Sequence, residues 1–159
     1  MENEIRNLIR LMLEEKKFKP AYSEKIDYKK NPEEYSVSKG VSGVFSVSPY
    51  KDQIIKHFTF KNIEQSKASA EKIYNMFEEY RDKKDFVGMD MARKFLELGY
   101  LQSLRFSKFS GGKKYTKSGN LKRSSYKEKE KLEISNVYKS YLDKANSDKV
   151  YKSLKRNML

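Results

Sequence analysis

Eleven residues between Arg105 and Arg123 carry the most legible chemistry of this chain: Arg105, Lys108, Phe109, Gly111, Gly112, Lys113, Lys114, Tyr115, Lys117, Lys122 and Arg123. The cations can neutralise phosphates, the Gly-Gly pair lets backbone N–H groups approach an oxyanion, and the two aromatic rings can stack on unpaired bases. From Leu101 to Lys127 the chain has eight Lys and Arg and no Asp or Glu, against a formal charge of +13 for all 159 residues. A field of one sign concentrated in this way calls for an anionic partner. Drift of composition toward lysine would scatter cations and gives no reason for an acid-free window of this length. The segment matches no defined nucleic-acid motif, so a solvated loop without a ligand stays open as the plain alternative.

A second group, Asp82, Asp85, Asp90 and Arg93 with Glu97, offers two carboxylates near a cation, which could hold magnesium or act as acid and base. Plainer roles account for most of it. Asp85 stands where a helix needs a cap, and Asp90 with Arg93 and Lys94 has the spacing of ordinary helical ion pairs, about 0.2 to 0.5 kcal/mol each. His57 is the one histidine and has no recognisable nucleophile partner. The run Ser38-Lys39-Gly40-Val41-Ser42-Gly43 superficially resembles a phosphate-binding loop but lacks the spacing of a Walker or dinucleotide motif, so a bulged hairpin is the expectation. With no cysteine, thiolate metal ligands and disulfides are excluded. No catalytic residue, metal site or cofactor is expected.

The elements that must position the basic segment follow from periodicity. Ile5, Leu8, Ile9, Met12 and Leu13 predict an N-terminal helix from Glu4 to Lys16, and Phe18 to Glu34 reads as an irregular connection on the surface. Between Tyr35 and Tyr50 the apolar residues Tyr35, Val37, Val41, Phe45 and Val47 recur on odd positions, which predicts a hairpin. A short helix opened by Pro49 and a second extended piece, His57 to Phe60, complete a small antiparallel sheet. Asn62 caps a predicted helix to Arg81 with the stripe Ile63, Ala70, Ile73, Tyr74, Phe77 and Tyr80. After the turn Asp82-Lys83-Lys84, Asp85 caps a helix from Phe86 to Leu98 that Gly99 should end. That helix is apolar around most of its circumference, hence central, and Gly88 within it implies the close passage of another backbone. Leu132, Ile134, Val137, Tyr138, Tyr141 and Leu142 give a late helix, and Val150, Tyr151 and Leu154 a final short one.

The run Asp85 to Tyr100, DFVGMDMARKFLELGY, with Gly111 to Tyr115, GGKKY, resembles the signature of an uncharacterised family of cytoplasmic proteins, domain of unknown function 4385. Tyr35 to Val44, Ser48 to Lys51, Phe58 to Lys61, Ser69 to Phe77 and the terminal YKSLKR share in the resemblance, which therefore spans most of the chain. It implies an intracellular protein and assigns no reaction. It also groups the signature helix and the GGKKY segment as one unit.

The expected fold is α+β: one mostly helical domain over residues 1–159 with a small antiparallel β-sheet. Its parts are an N-terminal helix at 1–17, a hairpin with central helices at 35–100, the basic segment at 101–127 and C-terminal helices at 128–159. The expected function is binding of nucleic acid, RNA or single-stranded DNA in preference to duplex, through the eleven residues above and without covalent chemistry. The competing reading is a protein-binding module or inhibitor that docks its basic face on an acidic groove of a larger machine; an enzyme acting on nucleotides or nucleic acids is the third. No apolar run reaches membrane-spanning length and the acids Glu2 and Glu4 precede the first apolar residues, so a cytoplasmic protein with no membrane partner is expected.

Overall fold

The computed structural model describes residues 7, 22–109, 115, 117–120 and 128–158. Five helices appear there: α1 (Tyr50–Ile55), α2 (Ile63–Asp82), α3 (Phe86–Lys108), α4 (Glu128–Ser147) and α5 (Lys149–Met158), with a single 3-10 turn at Pro32–Glu34. The predicted N-terminal helix falls outside the described residues except for Asn7, which is helical.

Two side-chain caps set the central pair. Asn62 accepts from the Gln65 N–H at 2.8 Å and starts α2, and Asp85 accepts from the Gly88 N–H at 3.1 Å and starts α3. Between them Lys84 sits at φ 53°, a left-handed conformation in a side-chain-bearing residue. There the Lys84 N–H bonds the Arg81 carbonyl and the Asp85 N–H bonds that of Tyr80, both at 2.9 Å, so orphan carbonyls of α2 are satisfied as the chain reverses.

α3 is central, packed against α2 and α4 along its length and against α1 and α5 at fewer points. Every residue from Phe86 to Leu96 is buried, and Ala70, Ile73 and Phe77 of α2 and Ile134, Tyr138 and Leu142 of α4 meet it in one apolar core. The helix does not stop at Gly99, as the terminating-glycine reading required, but runs on to Lys108. Gly99 is there because the Tyr138 ring crosses it: a Cβ would lie 2.5 Å from that ring. Gly88 answers likewise to the Tyr80 ring, 2.4 Å from where a Cβ would be, and not to a passing backbone.

The expected β-sheet is absent: the described residues hold no strand, and Asp27 and Ser48 meet only in an isolated parallel bridge. Gly40 and Gly43 take φ of +70° and +87°, and the Val44 N–H to Val41 carbonyl and Ser46 N–H to Gly43 carbonyl bonds coil the segment into successive turns. The odd-position pattern is thereby lost: Val44 and Val47 are buried, while Val37, Val41 and Phe45 are only partly so. Phe58 and Phe60 do alternate inward, but side chains take the place of a partner strand. The Thr59 N–H donates to Ser69 Oγ at 3.1 Å, Ser69 Oγ lies 2.8 Å from the Tyr138 hydroxyl, and that hydroxyl returns to the Thr59 carbonyl at 2.6 Å. Lys131 Nζ binds the Phe60 and Lys61 carbonyls. Backbone groups so satisfied need no ladder. The connection before residue 35 is irregular as expected, yet Tyr22 and Tyr28 within it belong to the core.

The two crossing glycines should differ in cost. Tyr138 is fully buried and held by two hydroxyl contacts, so its ring cannot yield to Gly99→Ala; we expect a loss of about 1 to 3 kcal/mol by overpacking. Tyr80 is only half-buried and its hydroxyl has one contact, to Gln53 Oε1 at 2.7 Å, so its ring can give more and Gly88→Ala should cost less than Gly99→Ala. Urea denaturation of both variants decides it; equal losses would count against the ring-crossing account.

Candidate functional site

The first part of the basic segment is the end of α3. Arg105 and Lys108 occupy its last turn, where cations complement the helix dipole, and the Phe109 N–H closes the helix on the Arg105 carbonyl at 2.9 Å. Lys108 is exposed, and Arg105 and Phe109 are half-buried. Tyr115 is 54% exposed, the largest exposure among the big apolar side chains of the described residues, and Lys117 is exposed as well. Gly111, Gly112, Lys113, Lys114, Lys122 and Arg123 lie outside the described residues, as does Lys127. The structure thus brings Arg105, Lys108 and Phe109 together on one helix end.

What spacing alone presented as ordinary helical ion pairs is a buried charge cluster. Asp90 and Lys94 are fully buried and Arg93 is 7% exposed. Arg93 Nε donates to Asp90 Oδ1 at 2.9 Å and its Nη1 to Glu97 Oε2 at 2.9 Å, while Lys94 Nζ stands 3.8 Å from Asp90 Oδ2. The Tyr151 hydroxyl donates to Asp90 Oδ1 at 2.6 Å and the Tyr35 hydroxyl to Oδ2. Lys94 Nζ in turn donates to the Tyr22 hydroxyl at 3.1 Å, to Ser38 Oγ at 3.1 Å and to the Ser42 carbonyl at 2.7 Å. It also lies 4.7 Å from the Tyr22 ring centroid, a cation–π contact.

These groups set one another's charge. Burial works against the Asp90 carboxylate, but Arg93, Lys94 and the two tyrosine hydroxyls outweigh it and hold its pKa below the usual value. Burial likewise opposes the charge of Arg93, and Asp90 overrides it. For Lys94 burial wins: at 3.8 Å Asp90 does not offset it, Arg93 adds repulsion, and the ammonium is pushed down to about 8. Burial, aided by Asp90, raises the Tyr35 and Tyr151 phenols, which stay neutral donors.

Among the described residues no group of three or more His, Cys, Asp or Glu side chains comes together that could hold a metal ion. Asp85 is the cap expected of it and also accepts from the Tyr50 hydroxyl at 2.7 Å. His57 is half-buried, and burial with Lys72 and Lys56 nearby lowers its pKa. Sequence reasoning missed Tyr22, Tyr35, Ser38 and Tyr151 as partners of the helix charges. The available signal was an Asp-Arg-Lys triplet on a helix otherwise apolar, which demands partners from elsewhere.

Removing Asp90 should leave Lys94 without a counter-charge in the core and Arg93 with Glu97 alone, so Asp90→Ala should lose about 3 to 5 kcal/mol in urea denaturation. Lys94 makes a signed pH prediction. The unfolded chain holds this proton to its ordinary value of 10.5 and the folded chain only to about 8, so between the two the unfolded state binds more protons. Stability therefore rises with pH in that window. Between pH 7.5 and 9.5 the melting temperature of the wild type should climb relative to that of Lys94→Met; a constant difference would refute the assignment.

No helix among the described residues is long and apolar enough to cross a membrane. No curated protein and no solved structure matches the chain. A family model described as "Domain of unknown function (DUF4385)" matches residues 19–159.

Proposed function

From the premise that the chain belongs to the DUF4385 family, we propose that it is a nucleic-acid-binding protein, acting on RNA or single-stranded DNA without covalent chemistry of its own. The observation that carries this reading is the acid-free stretch of eight cations that begins in the last turns of α3. Because the first half of that helix is fixed in the core, Arg105 and Lys108 are presented from a rigid support, which lowers the ordering cost of a phosphate contact. Tyr115, more than half exposed, supplies a ring for stacking, and Phe109 a second at the helix end. Single strands use such rings better than a duplex does, since their bases are not already stacked on both faces.

Two measurements test it. Protein purified from lysate should carry absorbance near 260 nm that nuclease removes; a stoichiometric protein partner that survives nuclease would favour the basic protein-docking module instead. If all eight cations contact phosphate, log K for a single-stranded oligonucleotide should fall against log salt with a slope of about −6, at roughly 0.7 counterion per contact. Lys108→Glu with Lys117→Glu should make that slope shallower by about 1 to 2. A wild-type slope shallower than about −2 would exclude a phosphate-tracking segment.

A further inference from the structure

Over the buried charge cluster opens a cleft of about 660 Å³, the size of a small-molecule site. Its wall combines the Ser38-Lys39-Gly40 turn with Arg93 of α3 and Lys152 and Lys155 of α5. Among the described residues four cations line it, Lys39, Arg93, Lys152 and Lys155, against one carboxylate, Glu97, a net charge of +3. Glu97 is already bonded to Arg93 at 2.9 Å, and Arg93 to Asp90, so the two carboxylates hold the guanidinium in place and the three lysines are left to set the field.

The turn adds neutral donors. The backbone N–H groups of Ser38, Lys39 and Gly40 bond no acceptor among the described residues. Gly40 sits at φ +70°, and a Cβ on it would meet nothing within 4 Å, so the space before it is open. Successive N–H groups about a left-handed residue form the concavity in which oxyanions are commonly held. Ser38 Oγ is fixed beside them by Tyr22 at 2.7 Å and Lys94 at 3.1 Å. The superficial likeness of this run to a phosphate loop failed on sequence spacing; the folded chain supplies the missing cations from α3 and α5.

We propose that this cleft binds a phosphomonoester of mononucleotide size, at a site separate from the 105–123 segment. A monoester carries about −1.5 to −2 near neutral pH, which matches three uncompensated lysines better than the single charge of a diester link. The shared chemistry has two sources, a free mononucleotide or the 5′-phosphate at the end of a strand.

The test uses the full chain and calorimetric titration with adenosine 5′-monophosphate, inorganic phosphate and adenosine. The monophosphate should bind saturably and more tightly than phosphate, and adenosine should not bind detectably. Lys152→Glu with Lys155→Glu, at the surface of α5, should weaken the monophosphate at least about tenfold. Lys67→Glu with Lys72→Glu, the same charge change on exposed positions of α2, should leave it within about twofold. Absence of saturable binding of either anion, equal loss in both double variants, or adenosine binding as tightly as its monophosphate would each overturn the proposal. An oligonucleotide pair differing only in a 5′-phosphate assigns the source: a preference for the phosphorylated strand points to strand ends, indifference with retained monophosphate binding to the free nucleotide. Loss of nuclease-sensitive copurification with monophosphate binding intact would remove the nucleic-acid reading alone.

Discussion

The Asp90 carboxylate is the constraint around which the fold is arranged. A charge with no exposure in an apolar core is tolerable only when its lone pairs are all taken, and here the donors come from three places in the chain: Tyr35 in the irregular region, Arg93 on the same helix and Tyr151 on the last one. Each donor brings its element with it. Tyr35 places the turns that follow it over α3, and Tyr151 fixes α5, which otherwise offers the core only the partly buried Leu154. The specificity of the arrangement resides in polar groups, and the apolar contacts supply the driving force. Burial of Phe77, Phe95 and Ile134 would tolerate small displacements. A carboxylate shared by two phenols and a guanidinium would not.

Tyrosine does much of the work that a sheet performs elsewhere. With no tryptophan and no cysteine, the chain uses Tyr22, Tyr28, Tyr35, Tyr50, Tyr138 and Tyr151 as core residues whose rings fill volume and whose hydroxyls meet backbone or carboxylate. Tyr138 shows the principle in one residue. Its ring fills the notch left by Gly99, and its hydroxyl, together with Ser69, satisfies both backbone polar groups of Thr59.

The helices were legible because their signals are local. Asn62 and Asp85 cap through bonds to residues three positions on, and the stripes of α2 and α4 repeat at helical spacing, so nearest-neighbour reasoning reaches them. Between Tyr22 and Phe60 the short helix after Pro49 was legible, but the turns from Tyr35 to Val47 were not, because their conformation is decided by partners 50 or more residues away. Tyr35 meets Asp90 and the Ser42 carbonyl meets Lys94, pairings that no periodicity encodes. The alternating apolar residues of these turns imitate a strand until two left-handed glycines divert the chain. Gly99 misled for a related reason: small residues end helices and also admit rings, and only the three-dimensional neighbour tells which. Of the candidate site, the concentration of charge was visible at once, since it is a property of composition. The cluster beneath the cleft was visible only as a triplet of charges, with its partners distributed over the rest of the chain.

The bond between Tyr151 and Asp90 spans 61 positions, and this imposes an order on folding during synthesis. When α3 first leaves the ribosome its aspartate has Tyr35 and Arg93 within reach, but the third donor has yet to be made. At about 5 to 20 residues per second the wait is roughly 3 to 12 s. Throughout that interval the central helix must keep a partly satisfied charge near water, while the acid-free stretch emerges before the two helices that follow it. The nascent chain therefore exposes its cations to an environment crowded with RNA before its core has closed.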